Sequence, residues 1–107
     1  MVETTQSDGG NGRLVIFVNS DRHPDYVMHL ARAACAKGKT VSVHFFGCGV
    51  LLAVPHRLQA LAKVAQVSVC ADSFEQFSLD TPIDPSLCVP ASRTAELIGS
   101  CGRRVVF

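Results

Sequence analysis

The chain has 107 residues, 48% of them hydrophobic and 18% charged, with a formal net charge of +1. That is room for one domain around one core, and the near-neutral balance, with no Lys/Arg cluster interleaved with aromatics, excludes the electrostatic footprint of a direct nucleic-acid binder. The five cysteines have no C-x-x-C spacing, which excludes a zinc knuckle and a thioredoxin motif.

Residues 1–12 are polar and contain glycine, so they read as a flexible tail ahead of an α/β domain over residues 13–107. They lack the apolar core of a signal peptide. The longest apolar stretch, around Val50–Val54, is far shorter than the roughly 20 residues a membrane helix needs. The expectation is a cytoplasmic protein that binds no membrane, and an odd cysteine count in that setting implies free thiols.

Arg13–Asn19 is a continuous apolar run rich in branched residues, which suits a strand buried on both faces of a parallel sheet. The following Asn19-Ser-Asp-Arg-His lacks the glycines of a dinucleotide loop, and no Walker-type G-K-[ST] occurs. No cofactor is expected. His23-Pro-Asp-Tyr opens a helix that Gly38 closes, and Val27, Leu30, Ala31, Ala34 and Cys35 recur at helical spacing, which assigns Cys35 to the buried stripe.

Thr40–Phe46 is a second strand, with Val41, Val43 and Phe45 on one face and Ser42, His44 and Phe46 on the other. His44 reads as a hydrogen-bonded interior histidine rather than a ligand. Gly47-Cys-Gly-Val allows a tight turn at the strand end. A helix over Pro55–Ala65, with Leu58, Leu61, Ala62 and Ala65 inward, leads to the strand Gln66–Cys70. Asp72–Phe77 reads as a short helix, with Asp72 and Glu75 as a capping box.

Thr81-Pro-Ile-Asp-Pro85 breaks regular structure. Leu87-Cys-Val is a brief strand, Ser92 caps a helix over Arg93–Ser100, and Arg104–Phe107 is a final strand. Strands alternating with helices through short connections imply a single-domain, three-layer α/β/α sandwich with a mostly parallel sheet of four to five strands. A Ser92, His56 and Asp72 triad lacks the G-x-S-x-G elbow that would support it.

Cys70 is the candidate nucleophile, because it ends a strand at or just before a helix start, at the edge of the sheet where open α/β folds keep their chemistry. The helix terminus contributes roughly 0.3–1 kcal/mol, less than one pKa unit. Strong activation therefore calls for a cation, and Arg22, His23, His56, Arg57 and Arg93 lie in or beside loops. The alternative is that Cys70 is a small buried hydrophobe. Cys48 and Cys70, both after parallel strands, are expected near one edge of the sheet, with Cys48 as an accessory redox residue. No metal site is expected.

Phe45-Phe-Gly-Cys-Gly-Val50-Leu-Leu-Ala, Val67-Ser-Val-Cys70-Ala-Asp-Ser-Phe, and the closing Glu96-Leu-Ile98 through Arg104–Phe107 together resemble the DsrE/DsrF family of small sulfur-relay proteins. The resemblance covers roughly residues 13–80 and 92–107. It implies that Cys70 carries a persulfide sulfur, taken from a donor protein and passed to an acceptor thiol, which makes a sulfurtransferase one expectation. It also implies a homo-oligomer, a trimer or hexamer, with Val50–Val54 as candidate interface. Two alternatives stay open: a noncatalytic binding or assembly module of the same fold, and a thiol redox sensor using Cys48 with Cys70.

Overall fold

The computed structural model describes residues 3–6, 13–77, 83–100 and 103–107. In chain order the elements are β1 (Glu3–Gln6), β2 (Arg13–Val18), α1 (Pro24–Ala36), β3 (Thr40–Phe45), α2 (Pro55–Ala62), β4 (Gln66–Cys70), α3 (Ala71–Gln76), β5 (Cys88–Val89), α4 (Ala91–Ser100) and β6 (Arg103–Val106). Short 3₁₀ turns cover Gly47–Leu52 and Pro85–Leu87. The six strands form one sheet in the order β1-β6-β2-β3-β4-β5. The five strands from β2 to β6 are parallel, and β1 joins β6 antiparallel with Glu3 opposite Val106.

The chain steps from β2 to β3, β4 and β5 in one direction, then crosses back to β6 beside β2. Right-handed crossovers put helices made on the outward steps on one face and the helix made on the return on the other. The packing follows that rule. The first face buries Leu14, Ile16, Val18, Val41, Val43, Phe45 and Val69 against Val27, Ala31 and Ala34 of α1 and Leu58 and Leu61 of α2, with Phe74 of α3 packed alongside. The second face buries Val15 and Phe17 against Leu97 of α4. The α/β/α sandwich expected from the alternation is the observed architecture.

Several local readings need correction. Residues 3–6 of the expected tail form a strand, because β6 would otherwise leave an unpaired ladder edge and the central residues Thr4 and Thr5 are β-branched; the sheet thus gains a sixth strand. Residues 1–2, 7–12, 78–82 and 101–102 lie outside the described residues. Helix α2 stops at Ala62, and α4 starts at Ala91 directly after Pro90, so Ser92 lies inside the helix rather than capping it. Cys35 is exposed: three and four residues apart, Val27, Ala31 and Ala34 already fill the inward stripe of α1, and Cys35 falls about 100° past Ala34.

Val50, Leu52 and Ala53 are buried in the protomer's own core, leaving Leu51 exposed. Most of that segment is therefore packing, with Leu51 its exposed apolar residue. Its turn depends on two glycines. Gly47 has φ +54, and a Cβ there would meet the Asn19 amide oxygen, while a Cβ on Gly49 would fall onto the Val18 carbonyl. Gly38, at φ +79 in open space, ends α1 with Lys39 N–H donating to Ala34 O at 3.0 Å and Gly38 N–H to Cys35 O at 3.0 Å, a Schellman closure.

Gly49→Ala and Gly38→Ala therefore differ in cost. The first overpacks backbone that cannot yield and is expected to lose about 3 kcal/mol; the second adds only left-handed strain, roughly 1–2 kcal/mol. Urea denaturation followed by circular dichroism measures both, and equal losses would contradict the close approach at Gly49.

Candidate functional site

Strand β4 alternates, placing Val69 on the first face and Ser68 and Cys70 on the second. His44 is the register partner of Ser68 on neighbouring β3, so its ring also enters the second face. There it is fully buried. Its Nδ1 lies 2.7 Å from Ser68 Oγ, and its Nε2 lies 2.6 Å from Thr94 Oγ1 on α4. Phe46 stacks on the ring at 5.9 Å and 19°, and Phe17 meets it edge-on at 6.3 Å and 82°.

Because burial penalises the charged imidazolium, the His44 pKa is lowered to about 4. The ring is neutral at physiological pH. It is the interior, hydrogen-bonded histidine that its place in an apolar strand implied, and both its nitrogens have partners.

Cys70 occupies the N-cap position of α3, with extended backbone angles of φ −68 and ψ 115. The expected capping box is displaced: Asp72 and Glu75 lie inside the helix, which begins at Ala71 immediately after the strand. Cys70 Sγ makes no full capping hydrogen bond, but it stands where an N-cap acceptor stands, facing the N–H groups two and three residues on. Burial raises its pKa; against this, the Ser73 hydroxyl, the backbone N–H groups of Ser73 and Asp72, and the Thr94 hydroxyl together prevail and hold the thiol below its ordinary value.

Hydroxyl and backbone N–H groups, rather than a cation, are what lower the thiol. None of Arg22, His23, His56, Arg57 and Arg93 contributes to the lowering. Arg57 donates to Leu52 O at 3.3 Å, and Arg93 pairs with Glu96 at 2.9 Å on the exposed side of α4. Ser73 is well placed for its role, since its Oγ accepts from Gly47 N–H at 3.0 Å, leaving its own proton to point elsewhere.

That same bond ties the loop after β3 to the start of α3, so Cys48 and Cys70 follow adjacent parallel strands at one edge of the sheet. They differ in access, Cys48 being exposed and Cys70 buried at 4%, and both are free thiols. Cys88 is raised by burial and by the charge of Asp84. Cys101 lies outside the described residues.

Three contributors to the site escaped the sequence reading. Ser68 was within reach, two residues before Cys70 on the same strand face, and so was Ser73, three residues after it at the third helical position. Thr94 gave no local signal, being 24 residues downstream on a separate helix. Among the described residues no group of three His, Cys, Asp or Glu side chains is arranged to hold a metal ion, and no helix is long and apolar enough to cross a membrane.

A groove of about 770 Å³ lies elsewhere, along α1 and β6, lined by Leu14, Tyr26, Leu30, Val105 and Phe107. It shares no residue with the Cys70 site. No family model, curated protein or solved structure matches this chain, so the functional reading rests on the chemistry of the site.

The depressed His44 pKa links stability to pH. The unfolded chain binds a proton near 6.5 and the folded chain only near 4, so stability is fully present above 6.5 and falls as pH drops through that window. At 1.36 kcal/mol per unit, the loss attributable to His44 is about 3 kcal/mol. Urea midpoints at pH 7 and pH 4 should show it, and His44→Phe should flatten the dependence. An unchanged pH slope in that variant would mean that His44 is not the group responsible.

Proposed function

We propose that Cys70 is a persulfide carrier: its thiolate attacks the outer sulfur of a donor persulfide, R–S–SH, forming the Cys70 Sγ–S bond as the donor's S–S bond breaks. The donor leaves as R–S⁻ with the electron pair of that bond, and Cys70 holds –S–SH. In the second step an acceptor thiolate attacks the outer sulfur and Cys70 leaves as its thiolate. Each step exchanges one S–S bond for another, so no external oxidant or reductant is consumed.

The observation that supports this reading is the lowered pKa of Cys70 at a strand-to-helix junction, under hydroxyl and N–H donors. Such donors favour the anionic form of the sulfur, the state that nucleophilic sulfur chemistry requires. The resemblance to sulfur-relay proteins points the same way. Donor and acceptor proteins, a cytoplasmic location and a homo-oligomer, trimer or hexamer, belong to this reading. Val50, Leu52 and Ala53 are buried within the chain, which leaves Leu51 as the exposed apolar residue that segment offers to a partner.

One observation favours a second reading, a noncatalytic binding or assembly module: Cys70 is only 4% exposed. A carrier needs a sulfur that a donor can reach, whether by local opening of the Gly47–Leu52 turn or when a partner docks. Packing needs no access.

Because Cys35 and Cys48 are exposed and could take up sulfur non-selectively, the decisive experiment uses a Cys35→Ser/Cys48→Ser background. Native protein treated with glutathione persulfide should gain about 32 Da, one sulfur atom, by thiolate-dependent exchange, and adding Cys70→Ser should abolish the gain. Uptake that persists without Cys70, or that needs denaturant, rejects the carrier and favours the module.

A further inference from the structure

His44 sets a hydrogen-bond accounting problem with few solutions. Both ring nitrogens face hydroxyls, Ser68 Oγ at 2.7 Å from Nδ1 and Thr94 Oγ1 at 2.6 Å from Nε2. A neutral imidazole offers one N–H and one lone pair, so one hydroxyl must donate to the ring while the other accepts from it. Complete burial among Phe17 and Phe46, with no carboxylate among its described contacts, keeps the ring neutral.

Two arrangements satisfy this count. In the first, Ser68 donates to Nδ1 and Nε2–H donates to Thr94, which leaves the Thr94 proton unspent. In the second, Thr94 donates to Nε2 and Nδ1–H donates to Ser68, so Thr94 offers its other neighbours only lone pairs. Cys70 shares the second sheet face with Ser68, two residues along β4, and the Thr94 hydroxyl is one of the groups that act on its sulfur. A sulfur anion attracts a proton and repels a lone pair. The first arrangement therefore belongs with the thiolate.

We propose that Ser68, His44 and Thr94 form a directional hydrogen-bond relay that turns the Thr94 proton toward Cys70 Sγ, making Thr94 and His44 positioning residues for the thiolate. The relay rests on the reading of Cys70 as a thiolate nucleophile and adds how that thiolate is held. His44 acts without gaining charge: its tautomer determines which way the hydroxyls point. The ring cage explains why a histidine suits the task, since Phe46 and Phe17 fix the imidazole plane and leave only the choice of proton position.

The charged side chains of the flanking helices are exposed. Asp72 and Glu75 of α3 and Arg93 and Glu96 of α4 have exposed side chains, the latter two paired with each other. Arg104 sits on β6 opposite Val15, with β2 lying between it and β3. On β3 and β4 themselves, His44 and Cys70 are the titratable groups of the second face.

The test is NMR on the isotopically labelled full chain, which reads the relay apart from any sulfur transfer. The nitrogen-15 shifts of His44 should show the Nε2–H tautomer at a pH where Cys70 is ionised, and the Cys70 Cβ shift gives its titration midpoint. Thr94→Val removes one hydroxyl donor and should raise that midpoint by about half a unit; Thr94→Ser should restore it, and His44→Phe should raise it by less than Thr94→Val does. An Nδ1–H tautomer alongside ionised Cys70, or a Thr94→Val midpoint equal to the parent's, overturns the relay. A chain that shows the shift but takes up no sulfur keeps the relay and rejects the carrier, whereas sulfur uptake with no shift does the reverse.

Discussion

A chain that has stepped β2, β3, β4 and β5 in one direction covers only one face of its sheet with right-handed crossovers, and the other face must wait for the return. Helix α4 is that return. It covers the second face with Leu97 against Val15 and Phe17, and the same placement sets Thr94 over His44 at 2.6 Å. The site at Cys70 depends on this crossover, because β3 and β4 supply His44, Ser68 and Cys70 while the last partner comes from the far end of the chain.

The two faces differ in chemistry because they differ in cover. Three helices press on the first, and every inward residue of β3 there is apolar: Val41, Val43 and Phe45. One helix presses on the second, where β3 instead presents Ser42 and His44, both buried. A buried polar group without a partner costs roughly 1–3 kcal/mol, so polar residues in such a layer are stabilised where they partner one another. His44, Ser68 and Thr94 do. Ser42 Oγ is the buried side-chain atom without a partner among the described residues, and it lies where β4 begins, opposite Gln66, one strand-face step short of the network.

How much of this could be read from the sequence follows from the range of each signal. The apolar run of the first long strand and the alternation that separates Val41, Val43 and Phe45 from Ser42, His44 and Phe46 are short-range patterns, and they hold. The position of Cys70 between a strand and a helix is equally local. Capping was misjudged because Asp72 and Glu75 match a capping box by residue type while the strand runs without a spacer into α3, making Cys70 itself the N-cap. Cys35 was misassigned because helical spacing marks a stripe but not its edges, and Val27, Ala31 and Ala34 leave no inward position beyond them. Residues 3–6 carry little apolar pattern, and what orders them is the open edge of β6, a partner about 100 residues away. Thr94 belongs to the same class of long-range fact.

The use of hydroxyls rather than a cation has a physical consequence. A lysine or arginine beside Cys70 would stabilise the thiolate strongly and without direction, but with Cys70 only 4% exposed the cation would itself have to be desolvated, at a cost of several kcal/mol. Hydroxyls and backbone N–H groups carry no net charge, so burying them costs far less once each is paired, and each lowers the thiol by a modest step. They are also short. Ser73 is held by the Gly47 N–H and Thr94 by His44, so each hydroxyl is fixed by a second bond, and little side-chain entropy remains to be lost. The balance is between burial, which raises the Cys70 thiol, and these neutral donors, which lower it, and a neutral donor set lowers a buried thiol without bringing a second charge out of water.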